Sequence, residues 1–344
     1  MNDKKKWGKG KKIGVITSSS LGGLILIGIF IMYGPISYFR DLWITSAMTT
    51  MNHQYLATML YSKKTIDKVM NKNNVISLED ISNLDEINIY DGKFNGIYES
   101  EYDKEVLIKD KDNDLYKIIE IKGKLYKGFV VAIYDPSRVR LALTPKLGVY
   151  GEQLDKIIEK SNGLLGINAG GFHDPEHSKG ETPDGVIIND GKIAWGKTFN
   201  GIRNFIGLTY DNKLFLGRVT KEEALNKNVR DAIEFSPYLI INGKPAIVNG
   251  NGGWGIASRT GIGQRKDGII LFLVIDGRKP GHSIGAGMGD MIEIFQRYGA
   301  YNAANLDGGA SSALVVNGVV TNKPTNSTAN GLKGLPNAFI VTKE

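Results

Sequence analysis

Two Asp-Gly pairs close apolar runs in the last quarter of the chain: Asp276-Gly277 after GIILFLVI and Asp307-Gly308 after NAANL. Paired carboxyl groups are candidates for general acid–base work, so their placement is the first question. A single Asp-Gly reads as a turn. Two on one supersecondary unit read differently. Between them, GDMIEIFQRYG sets Met291, Ile294, Phe295 and Tyr298 on one helical face, with Gly299 as the C-terminal cap. Strand, helix and strand over residues 268–314 predict a βαβ unit with parallel strands, and both aspartates fall where a strand runs out. Ligands of such sheets bind beyond the carboxyl ends of the strands. Asp276 and Asp307 are therefore the candidate catalytic pair, each backed by a glycine that lets a substrate approach the backbone.

The elements that must hold this pair are legible as strands and short helices. KIIEIKG, GFVVAIYDP and RVRLALTP are strands divided by Gly, Asp-Pro and Thr-Pro; LDKIIEK is a short helix and LLGINAG a buried strand. Hairpins turn at Asp190-Gly191, Asn242-Gly243 and Asn317-Gly318, and further strands lie near Phe205–Tyr210 and Lys213–Gly217. The apolar run before Asp276 is continuous, as in a strand buried on both faces. The expected class is α+β: a mixed β-sheet core with a βαβ unit and several hairpins, preceded by one transmembrane helix.

The chain has 344 residues, 42% of them hydrophobic, and no cysteine. That supplies a real core and excludes disulfides, thiolate metal sites and cysteine nucleophiles. Six lysines in residues 1–12 against Asp3 account for +5 of the net +7, and the rest is close to neutral. No basic stripe with interleaved aromatics exists, so nucleic acid is not an expected partner. From Ile13 to Phe39 no residue is charged. About 20 apolar residues cross a bilayer, and a lysine cluster stays cytoplasmic, so residues 13–33 are expected to be a retained single-pass anchor. The expected plan is a cytoplasmic basic tail (1–12), the anchor (13–33), an extracytoplasmic stalk or linker (34–114) and a catalytic domain (115–344). Within the stalk, Thr45–Lys72 has helical spacing without Pro or Gly.

Five segments in order, INAGGFHD (167–174), PDGVIINDGKI (183–193), RTGIGQ (259–264), VIDGRKPGHSIGAG (274–287) and NLDGGASSALVVNG (305–318), resemble the phosphodiester glycosidase family over about residues 115–344. The resemblance implies hydrolysis of a sugar-1-phosphodiester at the anomeric carbon, in cell-envelope or exopolysaccharide metabolism, by a domain held outside the membrane. Asn168, Gly170, Gly171 and Phe172 match the Asn-Gly-Gly-Phe-Phe loop, with Ala169 and His173 as departures. Arg259, Asp276-Gly277-Arg278 and Asp307-Gly308-Gly309-x-Ser311, followed by Ser312, match further motifs. In the implied chemistry Asp307 and Asp276 are the carboxyl pair, and the planar forks of Arg259 and Arg278 take the phosphate. Gly308, Gly309 and Ser311 supply N–H and hydroxyl donors, Asn168 meets a sugar hydroxyl, and His282 lines the pocket.

Other features weigh less. His173 and His177, with Asp174 and Glu176, sit at helical spacing for a metal, but Pro175 breaks a helix there. Gly285–Gly289 lacks the spacing and lysine of a nucleotide loop. Asp184-Gly185 reads as structural, with the site within its reach. No cofactor is required by this reading; a calcium ion is compatible with the carboxylates and carbonyls present. Two rival functions remain open: a non-catalytic glycan-binding or polysaccharide-assembly module on the same fold, and a phosphoesterase that cuts P–O.

Overall fold

The computed structural model describes residues 9–50, 53–89, 97–173, 179–180, 182–326 and 328–343, with side chains from Leu21 onward. The chain divides after Asn71 into two compact units.

In the first unit a helix runs over Lys9–Tyr33 and a second over Ser37–Met48. The expected anchor, residues 13–33, lies inside the first. Among the described residues no single helix is long and apolar enough to cross a membrane; Leu21–Tyr33 and Ser37–Met48 reach that length only together, and they meet at 78°. The break falls at Gly34-Pro35, where proline lacks the N–H that would continue the ladder. The single helix expected over Thr45–Lys72 is instead three: Ser37–Met48, Tyr55–Thr58 and Lys63–Lys72. Thr49 and Thr50 hydroxyls bond back to the Thr45 and Ala47 carbonyls at the first break, and the Ser62 hydroxyl accepts from Thr65 N–H at the start of the last. Ile44, Ala47, Ala57, Tyr61, Ile66 and Val69 form this unit's core.

The second unit starts near residue 72, not 115. Asn74–Ile76 pairs with Ile247–Asn249, and Asp103 forms an ion pair with Arg265. These contacts draw much of the expected linker into the larger unit.

Three sheets surround one core here. The first has seven strands, in spatial order Lys244–Pro245, Tyr238–Ile241, Ala300–Asn305, Arg259–Arg265, Ile270–Ile275, Lys127–Ile133 and Tyr116–Lys122. The second orders Leu214–Val219, Arg203–Thr209, Val229–Glu234, Ile187–Asn189 and Lys192–Trp195. The third orders Val319–Val320, Leu314–Val316, Gly163–Asn168, Asn337–Thr342 and Val139–Leu143. Ile270, Phe272 and Val274 face the shared core with Ile206, Leu216, Ile167 and Phe339 from the other sheets. Leu271, Leu273 and Ile275 alternate to the opposite face, where Met291, Ile294 and Phe295 of the helix Met288–Arg297 cover them. That double burial is why the run before Asp276 has no polar alternation. Leu154–Lys160 and Lys221–Asn226 cover the outer faces of the third and second sheets in the same way.

The helix-linked strands Ile270–Ile275 and Ala300–Asn305 do run the same way in one sheet. They are not neighbours: Arg259–Arg265 lies between them, antiparallel to both, and among the described residues every other strand pairing is antiparallel too. The expected mixed sheet is thus an antiparallel one with a split crossover. RTGIGQ makes this possible. A Cβ on Gly261 or Gly263 would come within 2.9 Å of Met291 or Phe295, so only glycine lets the crossover helix lie on the inserted strand.

Candidate active site

The split crossover brings three strand ends to one rim. Arg259 begins its strand opposite Ile275, and Leu306 N–H donates to Thr260 O at 2.9 Å. Asp276, Arg259 and Asp307 therefore leave adjacent strands side by side. The third sheet supplies the floor, where Asp307 N–H donates to Ala169 O at 3.0 Å.

Asp307 is the perturbed group of this rim. Its carboxylate accepts from the Gly308 N–H at 2.9 Å and from the Ser311 hydroxyl. Burial pushes it up to about 6; Ser311, Lys333 and Gly308 pull the other way, and the Asp184 carboxylate adds to the rise. Such a group changes protonation near neutrality.

The two expected arginines converge beside it. Arg259 is buried, and its Nε and Nη2 are fixed by the carbonyls of Ala286 (3.0 Å), Trp254 (2.6 Å) and Gly255 (2.7 Å). Burial, and then Arg278, lower it to about 10, so it is still a cation at neutral pH. A Cβ on Gly308 would lie 3.6 Å from Arg259 Nη1, and one on Gly309 would lie 3.6 Å from Arg278 Nη1 and Nη2. Two guanidinium groups thus flank consecutive glycines. Arg278 takes a left-handed backbone, φ +55°, which costs of order 1 kcal/mol and sets the direction of its side chain. Gly309, at φ +63°, needs glycine for the same reason.

Several expected ligands prove to be scaffold. Asn168, 1% exposed, donates to Asp307 O at 2.6 Å and accepts from Thr260 Oγ1 and Ala313 N–H at 2.8 and 3.1 Å. It ties three strand ends together and has no face left for a sugar. The Gly308 N–H is taken by Asp307 and the Gly309 N–H by Ser258 O, so neither is aimed at a ligand. Ser312 is fully buried, and Ser311 serves Asp307. Phe172 is buried with Lys333 Nζ 4.5 Å above its ring, placing that lysine near Asp307. Gly171 is glycine because Asp184 Oδ2 and the Phe235 ring crowd it, at 3.1 and 2.8 Å from a Cβ there.

Asp276 differs from its expected role. Its carboxylate is 3% exposed and accepts from Asn322 Nδ2 (3.0 Å) and Lys323 N–H (2.8 Å), while Oδ2 lies 2.7 Å from His282 Nε2. Asp276 and Asp307 take their hydrogen bonds from different residues. The acid on the Asp307 side is Asp184, whose carboxyl is raised by desolvation, against the pull of His173 and with a smaller push from Glu234.

Sequence reasoning read Asp184 as structural with the site in reach, and left out Glu234, Lys333 and the aromatic wall of Phe235 and Trp254, whose ring centroids are 6.1 Å apart. The Pro-Asp-Gly start of segment 183–193 was the available signal for Asp184. Among the described residues no three His, Cys, Asp or Glu come together as a metal site; His177, Asp174 and Glu176 lie outside the described residues.

The family model for phosphodiester glycosidases matches residues 161–342. The chain is 23% identical over 242 residues to mouse N-acetylglucosamine-1-phosphodiester alpha-N-acetylglucosaminidase, covering 64% of this chain and 45% of that protein. It is 26% identical over 189 residues to the SPbeta prophage-derived uncharacterized protein YomE of Bacillus subtilis, covering 53% of this chain and 28% of that one. The chain thus spans less than half the length of these curated relatives. In fold it resembles the zebrafish N-acetylglucosamine-1-phosphodiester alpha-N-acetylglucosaminidase catalytic domain auto-inhibited by pro-peptide, with a TM-score of 0.56 and 21% identity over 69% of this chain and 86% of that domain.

Proposed function

The chain belongs to the phosphodiester glycosidase family, and we propose that it hydrolyses the glycosidic C–O bond of a sugar-1-phosphodiester at the Asp307 rim. The carrying observation is one short loop: a buried carboxyl at about 6 beside two guanidinium groups that flank Gly308 and Gly309. Arg259 and Arg278 bind the phosphate and stabilise the charge that grows on it as the bond breaks. The sugar becomes oxocarbenium-like, and Asp307, working as its carboxylate, meets the electron-poor anomeric carbon or the water that attacks it. Asp184 is the second carboxyl of this cleft, in place of Asp276.

We further propose that residues 13–33 anchor the protein with its N-terminus in the cytoplasm and the catalytic unit outside, acting on cell-envelope or exopolysaccharide glycopolymers. The uncharged stretch and the six lysines before it support this.

The test is hydrolysis of N-acetylglucosaminyl phosphodiesters in ¹⁸O-labelled water by the full chain in detergent. Label in the sugar supports the proposal. Label in the phosphate means P–O cleavage, and no hydrolysis across a panel of sugars favours the glycan-binding module.

A further inference from the structure

The loop after Asp276 is a tight hairpin. Arg278 N–H donates to Ile284 O, Lys279 N–H donates to Ser283 O and Ser283 N–H to Lys279 O, all at 2.9 Å, leaving Pro280, Gly281 and His282 at the turn. Asp276 anchors its base, binding Asn322 and Lys323 through Oδ1 and His282 through Oδ2. Both oxygens of that carboxylate are thus engaged, Oδ1 twice and Oδ2 once, and its side chain is 3% exposed. A route from it to chemistry runs through the imidazole. With Nε2 held by Asp276, His282 Nδ1 points away from the carboxylate, carries no hydrogen bond among the described residues, and belongs to a side chain 22% exposed.

The phosphate-binding loop is close by connectivity. Arg278, on the opposite arm of the hairpin, reaches Gly309, and Asn322 Nδ2 bridges Asp276 Oδ1 to Ser312 O. The charged residues on the segments bonded to this hairpin are Lys124, Lys127 and Lys323, with Arg278 and Lys279 of the hairpin itself. All are cationic. Among the described residues Asp276 is the carboxylate bonded to the ring, and with cations on the other sides an anion such as a phosphate is the complementary ligand for Nδ1.

We propose that His282 is the proton-carrying partner of the substrate's phosphate and that Asp276 is its positioning residue; this rests on the hydrolase reading above. In the step, the C1–O electron pair stays on the phosphate oxygen, which takes the proton from His282 Nδ1. Water bonds to C1, and its proton goes to the Asp307 carboxylate. Asp307 then releases that proton to solvent and His282 regains one, closing the cycle.

The test combines a double-mutant cycle with a spectroscopic readout on the full chain. His282→Gln and Asp276→Asn should each lower kcat by about 10²-fold with KM little changed, and the double variant should be no slower than His282→Gln alone. Imidazole should restore part of the rate to His282→Gly. Independently of turnover, ¹⁵N NMR of the histidine rings at fixed pH should show Nδ1 of His282 gaining a proton when inorganic phosphate is added, and Asp276→Asn should abolish that response. Multiplicative losses in the double variant, or a ring unmoved by phosphate, would overturn the proposal. If phosphate protonates the ring while no phosphodiester is hydrolysed, the hydrolase reading fails and the dyad stands.

Discussion

Two strands of one sheet, Ile270–Ile275 and Ala300–Asn305, end at the same rim with the same dipeptide, and their carboxyl groups meet opposite environments. Asp276 receives three partners from beyond its strand and fastens a hairpin to residues 322–323. Asp307 takes its hydrogen bonds, among the described residues, from the turn that follows it, Gly308 and Ser311, and burial holds it near 6. One Asp-Gly is a rivet and the other, in the proposed route, the reactive group. The difference lies in what other loops bring, which no dipeptide specifies.

The largest effect expected from this contrast is loss of activity in Asp307→Asn, by about 10³-fold or more in kcat. The same substitution should stabilise the fold. A carboxyl whose folded pKa is raised binds its proton more tightly folded than unfolded, so wild-type stability declines as pH rises from about 4 to about 6. Asparagine has no such decline. Denaturation at pH 8 should favour the variant by up to about 3 kcal/mol, and the gain should vanish near pH 4. Equal stability at both pH values would mean that Asp307 is not desolvated. Asp276→Ala should do the reverse, losing about 2–3 kcal/mol by stranding Asn322, Lys323 N–H and His282. Like behaviour of the two variants would erase the contrast.

Next in size are the arginines, which sharpen the contrast within the site itself. Arg278→Ala removes a proposed phosphate ligand on a hairpin and should cost about 10–100-fold in kcat/KM with little change in melting temperature. Arg259→Ala should cost at least as much and also destabilise, because the carbonyls of Trp254, Gly255 and Ala286 lose their donors. If Arg259→Ala melts like wild type, its burial is not holding the 254–259 loop.

The sequence made the rim visible and hid its neighbours. Uninterrupted burial of Ile270–Ile275, a helix with one apolar stripe, and Asp-Gly at each strand end are local patterns, and local patterns survive without coordinates. The inserted strand did not announce itself: two of its alternate positions are glycine, so the period that marks a half-buried strand is erased where the helix presses on it. Asn168 was misjudged for a general reason. A buried amide that joins strand ends and one that binds a sugar have the same residue type, and only its partners tell them apart. Asp184, Trp254 and Lys333 come from loops far apart in the chain, and their meeting at Asp307 and Arg259 is a property of sheet packing.

The smallest expected effect separates Asp307 from its surroundings most cleanly. Lys333, held over the Phe172 ring, lowers the Asp307 carboxyl against the effect of burial. Since Asp307 works ionised in the proposed route, activity should rise as pH climbs through about 6. Replacing the ammonium by an uncharged chain of similar length removes that opposing pull. Lys333→Met should therefore shift the acid limb of kcat/KM to higher pH by a few tenths of a unit, leaving the plateau rate nearly intact, because a charge acting across part-solvated space is worth a fraction of a kcal/mol. A shift to lower pH would mean that the limb belongs to a group that Lys333 does not stabilise. No shift, with the Asp307→Asn loss still present, would mean that solvent screens the lysine and that burial with the Ser311 and Gly308 hydrogen bonds alone sets the carboxyl.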